Sequence, residues 1–368
     1  MAVGQTKLRP AIDKKAAEIE SKVIDWRRDI HQNPELGNQE VRTAKMVADH
    51  LRSLGIEVTE NVAVTGVVGI LKGGKPGPTV ALRADMDALP VTERVDLPFK
   101  STVTATYNGQ QTGVMHACGH DTHVAILMGV AEVLAGMKND LQGTVKFLFQ
   151  PAEEGIYEPG VTSWGAKQMV EQGVMEDVDA VFGLHIGSQM EVGKIGYRSG
   201  PAMAGVDNLE ITVHGTQAHG ASPWSGVDPI VTSAQIVSGL QTIISRNVNI
   251  TQTPAVVTVG AIHGGIRHNI IPEKVEMIGT IRTFGDEQQA LVHRRITEIA
   301  TNIAESAGGK ADVNITKLYP STINDPTLTK QMEPSILAAA GEENVIINEL
   351  ITGAEDFSFF QREKPGLF

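Results

Sequence analysis

The residues most able to do chemistry stand directly after short apolar runs. Thr79–Ala84 is followed by Asp85-Met86-Asp87, and Thr144–Gln150 by Pro151-Ala152-Glu153-Glu154-Gly155. Ala180–Leu184 is followed by His185, and His116-Ala117-Cys118-Gly119-His120-Asp121 precedes a helical pattern that starts at Thr122. In a parallel sheet, ligands bind outside the carboxyl ends of the strands. Four separate segments therefore deliver Asp, Cys, His and Glu to one edge. Neutral imidazole, thiolate and carboxylate are ligands of zinc and its neighbours, and two ions can share such a set when a ligand bridges them. Taken singly, each has a plainer reading. Cys118 is a small buried hydrophobe, Glu153-Glu154 a solvated loop, His185 a core histidine, and Asp85 and Asp87 are turn formers. Their convergence favours a metal site. His31, His50, His214, His263, His268 and His293 lack this context and read as structural.

The elements that must position these residues follow from periodicity. Ile12–Ile30 carries apolar residues at helical spacing and stops before Pro34, and Val41–Leu54 repeats the pattern up to Gly55, a helix C-cap. Val67–Leu71, Thr79–Ala84, Thr144–Phe149 and Ala180–Leu184 are Gly- and Pro-bounded runs of the kind that form buried strands. Helical patterns at Thr122–Leu134 and Ala166–Gln172 lie between them. Strands alternating with helices predict a mostly parallel sheet covered on both faces. Near Ile195 the rhythm changes. Leu209–His214 reads as a strand, Asp228–Arg246 as a helix capped by Asp228 with Pro229 at its first position, and Ala255–Ile262 and Lys274–Arg282 as strands. Glu287–Ala307 is a second helix and Ala311–Lys317 a last strand. The order strand–helix–strand–strand–helix–strand is the split βαβ or ferredoxin-like unit. It is expected as an insertion at 195–317 within a first domain of residues 1–194 and 318–368. Asp325–Ala340 (helical) and Asn344–Leu350 (strand-like) return to that domain.

Composition narrows the function classes. The 368 residues allow two or three domains at roughly 100–200 residues each. With 31 Lys+Arg against 43 Asp+Glu the net charge is −12, and no basic block occurs. That argues against nucleic-acid and anionic-membrane partners. The most apolar helical stretch, Val124–Met137, falls short of the roughly 20 residues of a membrane span and carries Glu132. The start MAVGQTKLRP has no apolar core, so a cytoplasmic location is expected, or a periplasmic one if a signal peptide has been removed. Cys118 is the sole cysteine, which excludes an internal disulfide. No Gly-x-Gly-x-x-Gly, Walker loop, Gly-x-Ser-x-Gly or His-Glu-x-x-His is present.

Eight segments together carry a resemblance: RRDIHQNPELG (27–37), RADMDALP (83–90), MHACGHD (115–121), FQPAEEG (149–155), FGLH (182–185), RHNIIPEKVE (267–276), GTIRTF (279–284) and GAEDF (353–357). In this order, over nearly the whole chain, they resemble the aminoacylase/carboxypeptidase metallopeptidase family. The match is to its amidohydrolase branch of hippurate hydrolase, N-acyl-amino-acid amidohydrolases and auxin-conjugate hydrolases. The resemblance implies an α/β, phosphorylase/hydrolase-like catalytic domain interrupted by a ferredoxin-like satellite domain used for dimerisation. It implies two divalent ions, Zn or Mn, with Cys118, His120, Glu154 and His185 as ligands, Glu153 as general acid/base and Asp85 supporting a ligand. His219 matches a histidine that reaches the scissile carbonyl, and Asn269 and Arg282 match positions that hold a substrate carboxylate.

The reaction so implied is hydrolysis of an N-acyl-amino acid, or of a short peptide, by metal-activated water with Glu153 as base. The same site could serve a carboxypeptidase or dipeptidase, and homodimers or higher homo-oligomers are expected. Two positions depart from the family's pattern. Trp224 stands where a second satellite histidine is common, and the family's last ligand, a histidine beyond GAEDF, has no counterpart before Phe368. A further C-terminal piece, or a metal-binding relative with impaired catalysis, is the corresponding expectation.

Overall fold

The strand Lys75–Asp85 is the hub of a six-stranded sheet. Its order is Glu57–Val62, Gly66–Lys72, Gln142–Gln150, Lys75–Asp85, Ala180–Phe182 and Gly366–Leu367. Lys75–Asp85 runs parallel to both neighbours, and Gly366–Leu367 is parallel to Ala180–Phe182. Gly66–Lys72 is antiparallel to Gln142–Gln150 and to Glu57–Val62. The fold is thus mixed α/β with a parallel half, and the buried run expected at Val67–Leu71 enters it in the reverse direction. The computed structural model describes residues 5–156, 161 and 163–368; the first four residues of MAVGQTKLRP lie outside them.

The sheet is held by helices whose apolar faces close over it. Ile30 of Gln5–Gln32, Val47 and Leu51 of Val41–Ser53, and Val124 and Met128 of His120–Ala135 pack with Val67, Leu71, Phe147 and Phe149 of the strands. Each such side chain contributes roughly 1.5–3 kcal/mol through burial. The expected helix from Thr122 begins two residues earlier, at His120, because Gly119 takes φ +91° and turns the chain into the first turn. A side chain at Gly119 would also collide with Ile186, so glycine is required there twice over.

The chain packs as two compact units: Met1–Ile195 with Thr327–Ile346 and Phe359–Phe368, and Gly196–Pro326 with Ile347–Ser358. The second contains a four-stranded antiparallel sheet in the order Val256–Gly264, Lys274–Thr283, Gly205–His214, Lys310–Tyr319. Helices Pro229–Arg246 and Asp286–Ser306 supply Ile236, Leu240, Ile243, Val292 and Ile296 to its core, against Leu209, Ile211, Val213 and Met277. Asp228 caps the first helix as expected, accepting from Ile230 N at 2.8 Å and Val231 N at 3.3 Å. Among the described residues no helix is long and apolar enough to cross a membrane.

Candidate metal centre

Register places the catalytic candidates of the first unit on one edge. Asp85 pairs with Gln150 and Leu82 with Phe182. The chain therefore leaves three parallel strands at one level, into Asp85-Met86-Asp87, Pro151–Glu154 and Gly183–His185. Cys118 and His120 arrive there from the start of the helix His120–Ala135. The donor atoms of Cys118, His120 and His185 lie within 4.8 Å of one another, as do those of His120, Glu153 and Glu154, and those of Asp85, His120 and His123. His120 belongs to all three groups.

The hydrogen bonds fix which ring nitrogen is available. His120 Nδ1 donates to the Asp87 carbonyl at 2.9 Å and lies 3.1 Å from Asp87 Oδ1. Nε2 is buried and makes no hydrogen bond among the described residues, with Asp85 Oδ2 3.4 Å away, so it is the ring nitrogen open to a metal. His185 Nδ1 donates to the Ile186 carbonyl at 2.6 Å, and its Nε2 lies 3.2 Å from Cys118 Sγ. Such outer bonds on the second nitrogen orient metal-ligating histidines. Glu154 N donates to Asp87 Oδ2 at 3.0 Å, and Glu154 Oε1 is buried without a partner among the described residues. Buried acceptors with no donor are costly. A divalent cation satisfies them, so the residues present fit one.

The electrostatics agree. Burial pushes the Glu154 carboxyl up, helped by Asp87, and pushes the Cys118 thiol up against the opposing pull of His120. Burial would lower His120, yet Asp85, Asp87 and Cys118 together hold it well above the ordinary imidazole range. All three shifts are what an acceptor-rich pocket does when its positive charge must come from protons. A metal ion inverts them.

Asp85 is fully buried. Its carboxylate pairs with Arg83 at 2.8 Å, accepts from His123 Nδ1 at 2.6 Å, and stands 3.4 Å from His120 Nε2. Burial alone would raise it, but Arg83, His120 and His123 hold the carboxyl well below the usual range. His123 was not singled out in the sequence. Its Nε2 accepts from Ile186 N at 3.0 Å, so it ties Asp85 to the loop that carries His185. The available signal was its place three residues after His120, on the same helix face. Asp87, read as a turn former, is the residue that orients His120 and the Glu154 backbone.

In the second unit His219 lies on the short strand Ala218–His219, exposed and paired with Ile270. Ala221 N donates to its Nδ1 at 3.0 Å, which places the ring proton on Nε2 as a donor. Gly220 N donates to the Asn269 carbonyl at 2.8 Å, so Asn269 is the cross-strand neighbour of this motif. Asn269 Oδ1 is buried without a partner among the described residues. Arg282 is half-buried on Lys274–Thr283; burial lowers its pKa and Asp207 opposes that. Trp224 is 82% exposed. His293, read as structural, bonds Asp207 at 2.6 Å.

Comparison with known proteins identifies the family. Residues 81–368 match the model of peptidase family M20/M25/M40. Thermostable carboxypeptidase 2 of Saccharolobus solfataricus is 44% identical over 353 residues, 95% of this chain and 86% of the relative. The N-acetylcysteine deacetylase of Bacillus subtilis is 39% identical over 349 residues, 95% of this chain and 87% of the relative. Among solved structures, the Bacillus subtilis YxeP protein, described as a dinuclear metal-binding peptidase from the M20 family, superposes with a TM-score of 0.80 at 37% identity. The match covers 96% of this chain and 88% of that one. Fold and site define a metal-dependent hydrolase of amide or peptide bonds. The chain belongs to the M20/M25/M40 peptidase family.

Proposed function

We propose that the protein hydrolyses the amide bond of N-acyl-amino acids, releasing a carboxylic acid and a free amino acid, with two divalent ions, Zn or Mn. One observation carries this reading: two donor groups, Cys118–His120–His185 and His120–Glu153–Glu154, meet at His120. Cys118, His120, Glu154 and His185 would hold the ions. When bound, such ions polarise the scissile carbonyl and make water acidic near neutral pH.

Glu153, buried beside the ligands, takes the proton from the attacking water and returns it to the leaving amine, help typically worth ~10²–10⁴-fold. His219 donates from Nε2 to the developing oxyanion. Arg282, with Asn269, holds the free carboxylate. Asp85 and Asp87 keep the ligands aimed. The first unit is the catalytic domain and the second a ferredoxin-like satellite through which homodimers form. The substrate is a small molecule met in the cytoplasm.

A carboxypeptidase is the second reading, favoured by the 44% identity to thermostable carboxypeptidase 2. Rates on N-acetyl and N-benzoyl amino acids and on free dipeptides, before and after chelation and metal return, separate the two. Faster metal-restored turnover of N-acyl substrates is expected. Turnover of dipeptides alone overturns the first reading in favour of the second.

A further inference from the structure

The segment RRDIHQNPELG and the residues just after it carry none of the proposed ligands, yet touch both loops that do. Arg27 Nε lies 2.8 Å from Asp121, and His31 bonds Asp121 at 2.9 Å and Glu93 at 3.1 Å, so both anchor the helix turn that holds His120. The Asp121 bond, with Glu93 on the other nitrogen, raises His31 despite burial. Further on, Ala88 N donates to the Glu35 carbonyl at 2.8 Å, beside Asp87. The Glu35 carboxylate in turn accepts from Arg42 N and Thr43 N at 2.8 Å each, capping the helix Val41–Ser53.

The most specific contact is at Glu40. Its side chain is fully buried. One carboxyl oxygen accepts from Ala152 N at 2.9 Å, and the other bonds Thr65 Oγ1. Ala152 directly precedes Glu153 and has φ +50°, a left-handed conformation that non-glycine residues adopt only when the surroundings enforce it. Gly37 closes the other side: a side chain there would come within 3.2 Å of the Ala152 Cα and Cβ. The strained residue is therefore clamped between a glycine and a buried carboxyl, both from this one segment.

We propose that Arg27–Glu40 is a brace for the two catalytic loops, and that Glu40 is the positioning residue that aims Glu153 by holding Ala152 in its left-handed turn. This rests on the reading of Glu153 as the base. Burial, together with the negative Asp87, pushes Glu40 up to about 8, so at neutral pH it is predominantly a neutral acid. A glutamine can then replace it, its carbonyl accepting from Ala152 N, while the Thr65 hydroxyl, which donates to Glu40, rotates to accept from the amide. An aspartate, one methylene shorter, cannot span both partners.

The test compares Glu40→Gln, Glu40→Asp and Glu153→Gln in the full-length metal-loaded protein, reading kcat, KM and metal content on an N-acyl-amino acid. Glu40→Asp is expected to lower kcat by about 100-fold, the scale of a ~1 Å misplacement, with KM and metal content unchanged. Glu40→Gln is expected to restore kcat to near wild type. Wild-type kcat in Glu40→Asp, or equal loss in Glu40→Gln, overturns the brace. Undiminished turnover in Glu153→Gln instead overturns the base reading on which it rests. Should Glu40→Asp fail to fold, hydrogen exchange of the Ala152 amide in the wild-type protein decides. Slow exchange supports the clamp, and exchange at the rate of an open loop overturns it.

Discussion

Replacing Asp85 by Asn tests whether the floor of the site is held by charge or by shape. The substitution keeps the volume and leaves Oδ1 able to accept from His123, now 2.6 Å away. It removes the negative charge that faces Arg83 at 2.8 Å and His120 at 3.4 Å. Arg83 is only 4% exposed, and its Nε is committed to Gln150 at 2.8 Å, so it cannot turn to water. Removing one partner of a buried pair costs about 3–5 kcal/mol. That is a large share of the ~5–15 kcal/mol by which domains are stable. Urea unfolding of the chelated protein at pH 7 measures it, with wild type and variant compared at equal slope. Asp85 also keeps His120 and His123 in place, and losing such support typically weakens metal affinity ~10–100-fold. The sign with pH is fixed by the direction of the shift. Because the native carboxyl is held below its ordinary range, its contribution is fully present above the unfolded value near ~3.9 and is lost as pH falls through the native one. The part of the gap between wild type and Asp85→Asn that belongs to the Asp85 carboxylate should thus narrow as pH falls through its native value. A loss below ~1 kcal/mol at pH 7, the level of an exposed pair, refutes the argument that this charge is buried and needed.

Three further outcomes follow from the same geometry. Glu153→Gln should retain its metal by elemental analysis and lose ~10²–10⁴-fold in kcat; surviving turnover would remove Glu153 as base. Cys118→Ala deletes a donor atom from the Cys118–His120–His185 group and should lower the bound metal per chain. Arg282→Ala should chiefly raise KM for substrates with a free carboxylate, by ~1.5–3 kcal/mol for a charged hydrogen bond, and leave carboxyl-amidated analogues untouched; equal loss on both would count against carboxylate recognition.

The edge of the site was legible because strand ends leave a strong local signature. An apolar run stops, and a chemically capable residue follows. That logic marks Asp85, Glu153, Glu154 and His185, and the loop before the helical pattern at Thr122 adds Cys118 and His120; the structure brings these residues to one edge. It missed what depends on direction and on helix phase. A buried run such as Gly66–Lys72 looks the same whether it runs parallel or antiparallel, and here it runs against its neighbour. The strand Glu57–Val62 is mostly exposed and polar, so it carries no apolar alternation to read. The hairpin Thr104–Tyr107/Gln110–Gly113 had a readable cue, Asn108-Gly109, whose φ values of 49° and 74° are those an Asn-Gly turn supplies. His123 lies within the helix expected from Thr122, but the face it shares with His120 exists only because that helix begins at His120.

The residues that aim the ligands obey a different rule from the ligands themselves. Asp87, His123 and Glu40 each bond a backbone or ring nitrogen of the loops that carry the candidate ligands, and His31 bonds the Asp121 carboxylate beside His120, all from distant parts of the chain, 112 positions away for Glu40 and Ala152. For His31 and Glu40 nothing local marks the role, because the partner is set by tertiary structure alone. A buried carboxyl such as Glu40 also breaks the expectation that acidic side chains stay in water. It is tolerated because both of its oxygens are bonded and because burial itself keeps it uncharged near neutrality. The same burial makes its effect on stability run opposite to that of Asp85. A carboxyl held above its unfolded value favours the fold below that value, and the advantage is lost as pH rises toward about 8. Glu40→Gln should therefore remove the decline in stability between the unfolded glutamate value near ~4.3 and about 8, while leaving the loss at lower pH, set in part by Asp85, in place. Unfolding free energies across that range in wild type and the two variants measure this directly, and an unchanged slope between those values in Glu40→Gln would mean that Glu40 is ionised in the folded protein.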